Sequence, residues 1–111
     1  MRALALLLVL GAATLGCDDQ SAAGPTTSGL VSVGDDFFSP TVIHPDVNGI
    51  VTWVWGGSRQ HNLVFNVNQG GTLVAPTSSG VYMRNFSNEP DGIYPYACTL
   101  HSGMNGQVVK P

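Results

Sequence analysis

Residues 91–110 read DGIYPYACTLHSGMNGQVVK, and the fold follows from how this stretch divides. From Ile93 to Cys98 alternate positions carry Tyr94, Tyr96 and Cys98, so these three share one face of a predicted strand. Gln107 to Lys110 forms a second short strand. Between them Cys98-Thr99-Leu100-His101-Ser102-Gly103-Met104 packs a thiol, an imidazole and a thioether into one tight turn. With two Cys, three His and three Met in 111 residues, an ordered C-x2-H-x2-M triplet arises by chance roughly once in a thousand such chains.

Upstream, the same punctuation recurs. Short runs rich in Val, Ile, Thr, Phe and Trp cover 30–33, 41–44, 50–55, 61–67, 72–75, 81–86, 93–98 and 107–110, with Gly, Pro, Asn and Asp between them. This spacing predicts an all-β domain, a Greek-key β-sandwich of about eight strands. Fourteen Gly and seven Pro fit many turns. In the run from 61 to 67, His61, Leu63, Phe65 and Val67 share a face, which places His61 on the inward, apolar side. Trp53, Trp55, Phe65, Phe86, Tyr94 and Tyr96 are expected core aromatics, with Phe37 and Phe38 also packing or one of the two left exposed. Met83 is assigned to the core and His44 to the surface.

Residues 3–16 are almost wholly apolar, follow Arg2 and stop at Cys17. The stretch is short for a membrane span and suits the hydrophobic part of a secretory signal. It resembles a bacterial lipoprotein signal, in which Cys17 becomes the lipidated first residue; Thr14 stands where Leu is more usual. An ordinary cleaved signal is the alternative. The expected division is therefore a signal over 1–16, a lipidated Cys and tether over 17–29, and a folded domain over 30–111. An exported protein with two Cys normally pairs them in a disulfide. Acylation of Cys17 would leave Cys98 alone, and metal ligation accounts for such a thiol.

Net charge is −3, and the four cationic side chains Arg2, Arg59, Arg84 and Lys110 are scattered. Nucleic-acid binding needs a positive stripe, so that class is set aside. The acidic residues are scattered too and are read as solvated turns.

The ligand types point to copper. A thiolate and a thioether suit Cu(I), imidazoles suit both oxidation states, and two His with one Cys and a weak Met form an electron-transfer site. The segments FFSPTVIHPDVNGIVTWVW (37–55), QHNLVF (60–65) and DGIYPYACTLHSGMNGQVV (91–109) resemble the cupredoxins of the plastocyanin, pseudoazurin and amicyanin group. Two residues between His101 and Met104 resemble the short loop of amicyanin. The resemblance implies His61, Cys98, His101 and Met104 as ligands of one type 1 copper ion. It also implies that Asn62 and Thr99 tie the two ligand loops together. Gln60 and Leu100 stand where the group commonly has Pro. The expected function is a non-enzymatic one-electron carrier, a monomer outside the cytoplasm that meets redox proteins transiently. Copper storage or delivery is the alternative, followed by a copper enzyme or a metal-free binding sandwich.

Overall fold

The computed structural model describes residues 28–111. The proposed signal, Cys17 and the tether up to residue 27 lie outside the described residues. Among the described residues nine strands follow one another: β1 Leu30–Gly34, β2 Phe37–Ser39, β3 Val42–Ile43, β4 Ile50–Trp55, β5 His61–Phe65, β6 Thr72–Thr77, β7 Gly80–Asn85, β8 Gly92–Ala97 and β9 Asn105–Lys110. They form two sheets, ordered β2-β1-β4-β7 and β3-β9-β8-β5-β6. Both sheets are mixed, because β1 runs parallel to β4 and β3 runs parallel to β9, while the other neighbours are antiparallel.

The sandwich is written in alternation. Val31 and Val33 of β1, Val51, Trp53 and Trp55 of β4, and Tyr94 and Tyr96 of β8 are buried, while their strand neighbours are exposed or half-buried. Aromatic rings stitch the sheets to each other. Phe38 of β2 meets Tyr96 of β8 edge-on with centroids 4.8 Å apart, and Trp53 of β4 meets Tyr96 at 5.4 Å and Phe65 of β5 at 5.9 Å. Edge-to-face contacts of this kind add to the area that the rings bury. All six expected core aromatics are buried, and so is Phe38.

Three expectations need correction. Phe37–Ser39 forms a strand that the sequence pattern did not show, since a three-residue edge strand beside a Pro carries no period to read. Phe37 faces outward from it. The strand from His61 ends at Phe65 and gives way to a 3-10 turn at Val67–Gln69, so Val67 leaves the inward face and is 92% exposed. Met83 is 60% exposed on the outer face of β7 and is neither core nor ligand, because it shares strand parity with Val81 rather than with half-buried Tyr82.

Candidate metal centre

One pole of the sandwich gathers the residues that the sequence singled out. His61 opens β5, Cys98 directly follows β8, and the 98–104 segment turns back into β9. The turn is closed by its own backbone: the Cys98 N–H donates to the Met104 carbonyl at 3.0 Å and the Met104 N–H to the His101 carbonyl at 3.3 Å. Gly103 holds φ at +82°, a left-handed conformation that costs a side-chain-bearing residue energy and a glycine little. β8 and β9 pair on to Ala97 and Asn105 just behind the turn, so the ligand loop stands on a rigid hairpin.

Three donors converge there. His61 Nδ1 and His101 Nδ1 lie 3.2 Å apart, and the Cys98 sulfur is 3.8 Å from the first and 3.6 Å from the second. Donors that each stand about 2.0–2.3 Å from a shared ion have separations of this size. Cys98 is buried and free, and His61 is fully buried. A thiol and two imidazoles whose ligand atoms all lie within 4.8 Å of one another are positioned to form a copper site. Met104 is also buried, at 1% exposure, at the end of the same turn. His101 differs from the other donors because its side chain is 22% exposed.

Sequence reasoning missed the shell outside these donors. Asp35 and Asp36 form the two-residue turn between β1 and β2. Asp35 Oδ1 stands 3.1 Å from His61 Nε2, the nitrogen that faces away from the donor triangle. The same carboxylate accepts the backbone N–H of Arg59 at 3.0 Å, the N–H of Ser58 at 3.1 Å and the Ser58 hydroxyl at 3.0 Å. The Arg59 N–H above all, then the His61 ring and the Ser58 N–H, hold the Asp35 carboxyl well below the usual carboxylate range. Gly57 permits this approach, since a Cβ there would stand 2.2 Å from Asp35 Oδ1. Asp36 reaches the other histidine of the trio, with Oδ1 3.7 Å from His101 Nε2, and is ion-paired to Arg59. A two-residue Asp-Asp hairpin between short strands was the available signal, but with β2 unseen both residues read as loop charge.

A further link ties the two ligand-bearing segments. Asn62 Nδ2 donates to Thr99 Oγ1 at 2.8 Å, and the Thr99 N–H donates to Asn62 Oδ1 at 2.8 Å, as the resemblance implied. The Trp55 indole N–H donates to the His61 carbonyl at 3.1 Å and fixes the start of β5 against β4. His44 lies apart from this pole, half-buried, with Nδ1 2.8 Å from the Val109 carbonyl.

Fold and site agree on a class: the chain has the fold of the cupredoxins, and His61, Cys98 and His101 are positioned to form a copper site at one pole of it. Within that class the likeness runs to amicyanin: a reduced amicyanin mutant matches with a TM-score of 0.61 at 25% identity, over 74% of this chain and 80% of that one. The purple cupredoxin from Nitrosopumilus maritimus matches with a TM-score of 0.56 at 23% identity, over 74% of this chain and 98% of the other. A copper-containing nitrite reductase from Thermus scotoductus matches at 0.57 and 21% identity, over 74% of this chain but 22% of that much longer one. No family model matches the chain, and no curated protein matches it.

Proposed function

We propose that this protein is a type 1 (blue) copper protein that carries single electrons between redox proteins outside the cytoplasm, with His61, Cys98, His101 and Met104 as its ligands. The observation that carries this reading is the convergence of two imidazole nitrogens and one thiol sulfur within 4.8 Å of one another at a buried pole. When bound, copper supplies the Cu(II)/Cu(I) couple that such a donor set accommodates.

The chain's own residues supply the rest. Cys98 and Met104 contribute soft sulfur, and His61 and His101 contribute imidazoles tolerated by both oxidation states. The β8–β9 hairpin and the Asn62–Thr99 pair hold these donors in place before any ion arrives, which keeps movement small when the charge changes. Burial of His61, Cys98 and Met104 keeps water out. His101, with its partly exposed edge, is the route for electrons to and from a partner. Leu100 is exposed beside it, whereas buried Met104 adds nothing to the rim; the carboxylate of Asp36 takes a place there instead. Four protein ligands leave no open position for substrate, in contrast to catalytic metal sites.

The purified protein loaded with Cu(II) is expected to show an intense thiolate-to-copper visible band and a narrow copper hyperfine splitting in its paramagnetic-resonance spectrum. A colourless protein with Cys98 intact would sink the reading. Reversible voltammetry without loss of Cu(I) separates electron carriage from copper delivery.

Export and anchoring belong to the same proposal. Cys17 after the apolar run 3–16 supports a lipidated N-terminus, which would hold the domain at a membrane surface. Cys17→Ser is expected to release the protein from membranes into the soluble fraction; unchanged retention would count against lipidation.

A further inference from the structure

We infer that the Asp35-Asp36 turn is an outer carboxylate clamp that orients both ligand histidines, with Asp35 as the positioning residue that sets the tautomer of His61 and biases the copper toward Cu(II). This inference rests on the copper reading above and adds to it the source of control over the site.

The geometry is asymmetric in a way that structural capping alone does not require. Asp35 already receives the Ser58 and Arg59 backbone N–H groups and the Ser58 hydroxyl, which order the loop between β4 and β5. Its Oδ1 is nevertheless also 3.1 Å from the Nε2 of fully buried His61. An ionised carboxylate only accepts, so His61 must donate from Nε2, and a neutral imidazole then presents Nδ1 as a bare lone pair. Nδ1 is the nitrogen that faces Cys98 and His101. The clamp thus prepares the ligand atom before any ion binds. A carboxylate behind a ligating imidazole also raises its basicity and places negative charge near the ion, which favours the more positive oxidation state. Asp36 performs a weaker version of the same task on His101. Its Oδ1 stands 3.7 Å from Nε2, it is half exposed, and its charge is shared with Arg59. One histidine opens β5 and the other lies 40 residues later in the turn between β8 and β9, yet adjacent residues of one turn face the outer nitrogens of both.

Two measurements test this. In the metal-free protein, nitrogen–proton correlation spectra of the histidine side chains are expected to show His61 protonated at Nε2 with a slowly exchanging proton. Asp35→Ala should lose that slow exchange, while Asp35→Asn, which keeps an acceptor oxygen, should retain it. In the copper-loaded protein, Asp35→Asn is expected to shift the Cu(II)/Cu(I) equilibrium about tenfold toward Cu(I). For one electron that is a rise of about 59 mV in reduction potential. Asp36→Asn should shift it in the same direction by less. A His61 protonated at Nδ1 in the wild-type protein, or a folded Asp35→Asn protein whose potential equals that of wild type, would overturn the inference. A wild-type protein that takes up no copper would instead remove the parent reading and the Cu(II) bias with it, while the tautomer result would still decide the positioning role.

Discussion

Replacing Cys98 by Ser is expected to leave the Cu(II)-treated protein without its intense visible band. That band needs a sulfur lone pair donating into copper, and a serine oxygen is a harder donor held by a far less acidic proton. The fold should survive. Cys98 lies at the pole of the sandwich just beyond β8, and the β8–β9 pairing that supports the turn runs through backbone groups. The imidazole nitrogens of His61 and His101 lie 3.8 and 3.6 Å from the sulfur that the hydroxyl replaces, so a small side-chain shift gives it a hydrogen-bond partner. Copper affinity should fall by more than the roughly 10–100-fold that the loss of an outer-shell partner costs. Absorption and resonance spectra with a copper titration read this directly. A Cys98→Ser protein that remained intensely blue would exclude Cys98 as the ligand, whatever the other donors do.

Much of this was legible in the chain itself, and the reasons are physical. The candidate loop could be read because Cys98, His101 and Met104 fall within seven consecutive residues, where spacing alone constrains geometry. His61 could be placed because strand parity fixes which way a side chain points, and the buried trio His61, Leu63 and Phe65 obeys it. The same rule failed at Val67, where the strand had already ended. Strand β2 escaped notice because three residues ending at Ser39-Pro40 show no period, and it gains its place by pairing with β1 and by packing Phe38 on Tyr96. Missing β2 hid the hairpin turn, and with it the meeting of Asp35 and Asp36 with histidines 26 and 65 residues away. Contacts across such separations are set by topology, and nothing in the local pattern around GDDF encodes them. Arg84 illustrates the same limit. Its guanidinium lies 4.7 Å from the centre of Phe65 and 4.5 Å from that of Phe86, an arrangement that an isolated Arg on an amphipathic strand does not announce.

The core and the metal pole are coupled through β4, β5 and β8, so damage to one should be visible at the other. Trp53 is fully buried and meets Phe65, Tyr82 and Tyr96, which places it between the two sheets. Trp53→Ala is expected to cost about 3–5 kcal/mol, since the cavity left by a fused ring cannot be refilled by strands held in two sheets. Against a total stability of about 5–15 kcal/mol for a domain, that is a large fraction. With each kcal/mol moving the midpoint by about 4–8 °C in a domain of this size, the metal-free variant should melt at least about 12 °C lower. Copper should return part of the loss. An ion that binds the folded state alone stabilises it by about 2.7 kcal/mol at a hundred times its dissociation constant. Tyr96 and Phe65, which pack on Trp53, lie on β8 and β5; Cys98 follows β8 two residues beyond Tyr96 and His61 opens β5, so a bound ion would tie those same two strands together. Calorimetry of Trp53→Ala with and without Cu(II), repeated in a Trp53→Ala/Cys98→Ser background, separates the two contributions. If copper raises the midpoint equally in both backgrounds, the stabilisation comes from somewhere other than this site, and the coupling argument fails.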